Sequence, residues 1–232
     1  MTIPKIIHQI WIGGTVMHPL IIEWGKKLRA LHPGWQVLLW SEGSRPDVLS
    51  CEHEDLVSEH PSLLAASCHL SQKSNIWRYE VMRKFGGIYL DTDVEPFRPF
   101  DDLSKDTDTF VVKRVNYPHV FECAAFGATP DHPWLNDLVA HLPSRDPKIS
   151  LSMGVDYFTE VTKRHGEVRV LSDGVIVFEY PDPDPRTLPK QASDTFLTAP
   201  VKIAVAPGTY AVHRWSSLWF ASSFKPLGGG GN

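Results

Sequence analysis

No stretch of this chain approaches the ~18 consecutive apolar residues that a membrane-spanning helix needs, so no integral membrane anchor is expected. The opening run MTIPKIIHQIWIGG holds His8 and Gln9 inside it, unlike the unbroken core of a signal peptide. Cysteine is scarce. Cys51, Cys68 and Cys123 form no CxxC pair, and an odd, scattered set argues against a disulfide framework and for a reducing compartment. Basic charge is not in excess: 23 Lys and Arg stand against 27 Asp and Glu. The net charge of −4 and pI of about 6.2 disfavour broad binding to nucleic acid or to anionic membranes. There is no GxGxxG and no P-loop, so the motifs of dinucleotide-binding and P-loop NTPase domains are absent. Internal repeats and interior low-complexity segments are absent as well.

What is present suits a soluble globular domain. A chain of 232 residues buries roughly 70% of the surface its unfolded form exposes. Its 42% apolar and 22% charged content is ordinary and excludes a wholly disordered chain. Eight tryptophans are many for this length; Trp fills cores, and it also stacks on bases and sugars. One domain over 1–224 is expected, followed by a flexible Gly-rich tail, 225–232.

Periodicity predicts a strand over Pro4–Ile12, a helix over Pro19–Leu31 and a short buried strand, WQVLLW, at 35–40. Two or three helices fill 46–85. The last, Ser71–Phe85, has a serine-rich entry suited to an N-cap and Gly86-Gly87 as its stop. Strands are expected at 88–90, 109–114, 120–128, 167–171, 175–178, 201–205 and 209–213, and helices at 132–142 and 152–164. The prolines of PDPDPRTLP (181–189) favour an extended loop. Helices alternating with strands early, then more strands late, predict an α/β fold with a mixed, mostly parallel central sheet flanked by helices. In such folds ligands bind beyond the carboxyl ends of the strands, where IYL (88–90) runs into DTDVE (91–95).

Asp91 and Asp93 are the sharpest chemical feature. A buried strand delivers two carboxylates, two residues apart, to its exit, and carboxylates are hard ligands for Mn²⁺ or Mg²⁺. A DxD alone also fits a polar turn closing a strand. An EF-hand loop starting at Asp91 would need Gly at its sixth position, which is Pro96. A phosphatase-type DxD hydrolase would want Thr or Val where Glu95 stands.

The stretches IPKIIHQIWIGG (3–14), SNIWRYEVMRKFGGIYLDTDVEP (74–96), FGATPDHPWL (126–135) and HRWSSLW (213–219) resemble glycosyltransferase family 32, the group with a DxD sugar-binding region. That group includes yeast-type initiating mannosyltransferases and bacterial capsular sugar transferases, and it is related to the glucosylating domains of large clostridial toxins. The resemblance implies a GT-A fold, a UDP- or GDP-linked sugar donor, a divalent cation (Mn²⁺ or Mg²⁺) and retention of anomeric configuration. It implies that Trp11, with Ile10 beside it, receives the nucleobase. Arg78 would touch the donor's sugar or phosphates, and Asp91 would bind ribose and sugar hydroxyls. Asp93 would ligate the metal, with His213 as a further ligand. Ser217 and Trp219 would fold over the pyrophosphate. Core packing is the competing reading for Trp11, a surface salt bridge for Arg78 and a satisfied strand-end histidine for His213.

Two departures stand out. The family usually has Ser-Asp where this chain has Ser74-Asn75, which loses a charge and swaps one acceptor for a donor. That shifts sugar preference, weakens turnover or marks a nucleotide-sugar binding protein with little activity. Glu-Cys-Ala (122–124) stands where relatives often have a polar amide, and Cys123 there reads as a small buried residue. Glu95, Asp101 and Asp102 read as plain surface carboxylates, and no general base is nominated. The expected acceptor is a glycan, a lipid-linked sugar or a small hydroxyl compound, gripped by loops near 41–60 and 181–199. The expected setting is the cytosol of a bacterium or of a viral or phage host, free or peripheral to a membrane.

Overall fold

A computed structural model describes residues 2–12, 17, 19–41, 58–114, 117–149, 152–172, 174–177 and 205–214. Strand β1 (Ile6–Trp11) alternates its side chains across the sheet. Ile7 and Trp11 join the clusters on one face, whereas Ile10 joins the cluster on the other. A strand covered on both faces must be apolar nearly throughout, which is why it reads IIHQIW. Helix α1 (Pro19–Leu31) has proline at its first position, where the missing N–H costs nothing, and buries Ile21, Trp24 and Leu28. Strand β2 (Gln36–Ser41) pairs in parallel with β1 along its whole length.

Helix α2 (Pro61–Ala66) precedes the long α3 (Leu70–Phe85). The N-cap of α3 is His69, not a serine: its backbone N–H donates to the Gln72 side chain at 3.3 Å. Gly86 closes α3 at φ +62°, and Gly87 opens β3 (Gly87–Leu90) at φ +100°. A side chain at Gly87 would meet the Ile6 carbonyl oxygen at 2.5 Å, so β3 enters beside β1 only through glycine.

Strand β4 (Val94–Pro96), helix α4 (Asp101–Ser104), β5 (Thr109–Arg114), β6 (Tyr117–Ala128), α5 (Pro133–Ala140), α6 (Val155–Thr162), β7 (Ile176–Val177) and β8 (Ala211–His213) follow. The main sheet runs β2-β1-β3-β6-β5. Four of its strands share one direction and only β6 is reversed. Helices α3, α5 and α6 cover one face through Ile76, Tyr79, Trp134 and Phe158, and α1 covers the other. A second sheet, β4-β8-β7, pairs β4 antiparallel with β8. The mixed α/β architecture is therefore the expected one. No described helix is long and apolar enough to cross a membrane.

Several elements differ from expectation. Residues 167–171 make one bridge, Val111 to Val170, rather than a strand, because only the N–H groups of Val111 and Leu171 and their partners are engaged. Helix α5 stops at Ala140 and a single 3₁₀ turn holds Leu142–Ser144, since Pro143 cannot continue the helix. β4 and α4 were not read from the sequence. Expected helices over 46–57, the 181–189 loop, most of the 201–205 strand and the 225–232 tail lie outside the described residues.

Burial forces particular histidines to stay neutral. His8 Nε2–H donates to the Gly86 carbonyl at 2.8 Å, and Nδ1 accepts from the Trp40 indole N–H at 3.0 Å. His32 is bonded in the same manner between the Leu28 carbonyl and the Phe100 N–H. Burial pulls His8 down from 6.5 to about 4, against the upward pull of its bond to Gly86, and pulls His32 down too. The unfolded chain thus binds protons more readily than the folded one between these values. Stability is complete above about pH 6.5 and falls as the pH drops towards 4, by up to about 3 kcal/mol from His8 alone. Urea titrations from pH 7.5 to 4.5 should show this loss, and His8→Gln should flatten the slope while lowering stability at pH 7.5.

Candidate functional site

Asp91 is the first residue beyond β3, and its N–H donates to the Ala124 carbonyl of β6 at 2.9 Å. A tight turn follows, closed by Val94 N–H to Asp91 O at 3.1 Å. The turn hands the chain to β4, whose register sets Val94 opposite His213. Beyond the ladder, Arg214 N–H donates to the Asp93 carbonyl at 2.9 Å. The result is a His213 Nε2 to Asp93 Oδ1 distance of 3.1 Å. Asp91, Asp93 and His213 each offer one ligand atom, all within 4.8 Å of one another. Two carboxylates and one imidazole at this spacing fit a divalent cation with mixed oxygen and nitrogen ligands.

Helix α3 supplies the next layer. Asn75 and Arg78, three apart, lie along one stripe of the helix. The two terminal nitrogens of Arg78 are committed: one donates to Asp91 Oδ1 at 2.9 Å and the other to the Cys123 carbonyl at 2.6 Å. Its guanidinium lies 4.4 Å above the Tyr89 ring, and the Tyr89 hydroxyl donates to the same Asp91 Oδ1 at 2.6 Å. Arg78 is thus a buried partner of Asp91, neither a surface salt bridge nor an exposed donor of hydrogen bonds. Asn75 is buried and makes no side-chain hydrogen bond to a described residue.

Charge is held here against burial. Burial raises the Asp91 carboxyl above its ordinary value, while Arg78 pulls it back most strongly. Burial lowers His213 most strongly, but the charge and hydrogen bond of Asp93, together with the charges of Asp91 and Glu122, lift the imidazole above its ordinary value. Cys123 is pushed up to about 11 by burial, so it is no thiolate at neutral pH, in line with a packing role.

Trp11, at the end of β1, packs with Met17, Ile21, Trp24 and Leu39, and Ile10 faces the α3 side. Both are buried. Ser217 and Trp219 lie outside the described residues, as do nearly all of the 41–60 and 181–199 loops. Three groups escaped the sequence reading. Tyr89 was legible, because a residue two before Asp91 in a strand shares its face. The buried Glu122 pairs with Arg114 across the β5–β6 hairpin. Glu95 is no plain surface carboxylate, since it pairs with Lys27 and Arg214.

The Arg78–Asp91 arrangement makes a measurable claim. Removing one member of a buried pair leaves the other charge uncompensated, so Arg78→Met should cost about 3–5 kcal/mol in urea denaturation at pH 7. Tyr89→Phe, which deletes one hydrogen bond to a charged group, should cost about 1–3 kcal/mol. A neutral Arg78→Met variant would mean that the guanidinium does not support Asp91.

The profile of the family described as "Glycosyltransferase sugar-binding region containing DXD motif" matches residues 21–111, which include Asn75, Arg78, Asp91 and Asp93. Inositol phosphoceramide mannosyltransferase 1 of Schizosaccharomyces pombe is 27% identical over 165 residues, 66% of this chain and 49% of that protein. Inositol phosphoceramide mannosyltransferase 3 of the same organism is 28% identical over 141 residues, 61% of this chain and 37% of that protein. The chain thus spans half or less of these relatives. Among solved structures, PaToxG glycosyltransferase superposes with a TM-score of 0.56 at 19% identity, over 71% of this chain and 70% of that one. The ligand-free glycosyltransferase domain of the YGT toxin gives a TM-score of 0.50 at 10% identity, over 74% of this chain and 80% of that one. Residues 21–111, with the DxD at the exit of a central strand, thus match the glycosyltransferases with a DxD sugar-binding region, and the fold around them is the GT-A fold.

Proposed function

We propose that this protein is a metal-dependent, retaining glycosyltransferase that moves a sugar from a UDP- or GDP-linked donor to a hydroxyl acceptor. The observation that carries this reading is the convergence of Asp91, Asp93 and His213 at the exit of β3. The acceptor class is a glycan, a lipid-linked sugar or a small molecule; the mannosyltransferase relatives, named for a phosphoceramide, lend weight to the lipid-linked one. We place the activity in a single domain over 1–224 and, from its three scattered cysteines, in a reducing cytoplasm.

Asp93 and His213 would hold the cation, Mn²⁺ or Mg²⁺, the imidazole favouring Mn²⁺ over Mg²⁺. A cation bound there would supply positive charge against the charge developing on the departing diphosphate. Asp91, with Oδ1 pinned by Arg78 and Tyr89, turns its other oxygen to ribose or sugar hydroxyls. The Asn75 amide, unengaged by described residues, offers an acceptor and two donors to the transferred sugar. By the family resemblance, Trp11 and Ile10 would border the base, and Ser217 and Trp219 would contact the pyrophosphate. Arg78 serves the phosphates only through Asp91. Attack on the face that the phosphate leaves gives retention, and the leaving phosphate takes the acceptor's proton, so no side-chain base is needed.

The competing reading, a nucleotide-sugar binding protein of little activity, rests on Asn75. If Asn75→Asp gains transfer by orders of magnitude, the natural chain is the impaired form; if it loses activity, Asn75 belongs to a working site.

Melting temperatures against UDP, GDP and their common sugar conjugates, with and without Mn²⁺ or Mg²⁺, test the reading. A ligand at about 100 times its Kd stabilises by roughly 2.7 kcal/mol, several degrees for a domain of this size. We expect a metal-dependent shift for one base, lost in Asp93→Ala. The shift should also shrink at pH 6, because His213 must shed its proton to bind a cation. No shift with any nucleotide would overturn the donor site.

A further inference from the structure

Glu95 lies on the short strand β4, two residues past Asp93 of the preceding turn, and both of its oxygens are taken. Lys27 of α1 reaches Oε1 at 3.0 Å. Arg214 grips Oε2 through Nε at 3.0 Å and a terminal nitrogen at 2.6 Å. The Phe97 ring lies beneath both cations, 4.1 Å from Lys27 Nζ and 5.9 Å from the Arg214 guanidinium. Glu95 and Arg214 are mostly withdrawn from water, with side-chain exposures of 18% and 11%, whereas Lys27 is 37% exposed.

Strand geometry says what this cluster does. Val94 and His213 are directly opposed in an antiparallel pair, so their side chains share one face of the β4–β8 ladder. Glu95 is one residue on and faces the other side, as does Arg214 one residue past His213. The ion cluster therefore lies behind the ladder that carries His213 in front. β8 is only Ala211–His213, and β4 only Val94–Pro96. Three pairs hold little register by themselves, and a slip of one residue would turn His213 away from Asp93.

We propose that Glu95, Arg214 and Lys27 are positioning residues: a brace that ties the two short strands to α1 and fixes His213 against Asp93 before any cation arrives. The proposal rests on the metal-binding reading above, and its measurements separate the two. Arg214 is held both by its backbone N–H on Asp93 and by its side chain on Glu95, so it fixes the His213 end of β8, while β7 and the Tyr210 backbone bonds to Phe97 and Val175 hold the other end.

The test compares full-length wild type, Glu95→Ala, Arg214→Met, the double variant, Arg214→Lys and Lys27→Met. Amide exchange is followed in metal-free protein, and Mn²⁺ affinity is measured by calorimetry. The brace predicts that Glu95→Ala speeds exchange of the Arg214 amide at least tenfold, with β1 unchanged, and weakens Mn²⁺ about tenfold. The double variant should bind Mn²⁺ no worse than either single one, and Arg214→Lys should fall between wild type and Arg214→Met. Lower melting temperatures with Mn²⁺ affinity kept within twofold of wild type would overturn the proposal. So would unchanged exchange at Arg214. If Glu95→Ala does not fold, Lys27→Met and Arg214→Lys give the same comparison in milder form. A wild type that binds no Mn²⁺ would sink the metal reading instead, and the exchange data would then decide the brace.

Discussion

A carboxylate delivered to the end of a buried strand survives as an anion only if something nearby carries the opposite charge. At the exit of β3 that partner is Arg78, whose guanidinium is itself too deep to exist alone. Each makes the other tolerable, and the Tyr89 ring and hydroxyl complete the enclosure. Because Arg78 also holds the Cys123 carbonyl, this pair ties α3, β3 and β6 together at the point where the candidate site begins. The rest of the main sheet can be viewed as the means of keeping α3 at the depth this pair demands. Gly86 and Gly87 turn α3 into β3 with no side chain between β3 and β1.

The site is built on two scales of contact. Asp91 and Asp93 arrive together from one turn. His213 arrives from a distant strand through a ladder of three pairs, and its place depends on side chains behind that ladder. The arrangement separates a rigid half, seated on the main sheet, from a half whose precision is borrowed from α1 through Lys27 and Glu95.

Much of this was legible. The helix at 19–31, the strand at 109–114 and the exit of β3 into DTD follow from apolar spacing and from glycine and proline punctuation, which act locally. Family likeness supplied His213, which spacing alone would not have singled out. What was missed depends on partners far along the chain. β4 is three residues with a proline, unreadable as a strand until β8 is beside it. Glu95 resembles any acidic loop residue until Arg214 is seen to grip it. His69 displaced the expected serine cap because Gln72, three residues on, reaches back to its N–H, a match of positions rather than of residue preference. The role of Arg78 came from the family likeness; its depth beneath Asp91 was not legible in the sequence.

His213 trails Asp93 by about 120 residues. At synthesis rates of about 5–20 residues per second, a nascent chain carries its DxD for roughly 6–24 s before the histidine exists. During that interval the two aspartates lack their third partner and the strand that presents it. The emerging polypeptide therefore cannot assemble the complete three-residue cluster early, and that cluster becomes a property of the finished fold rather than of the motif that names the family.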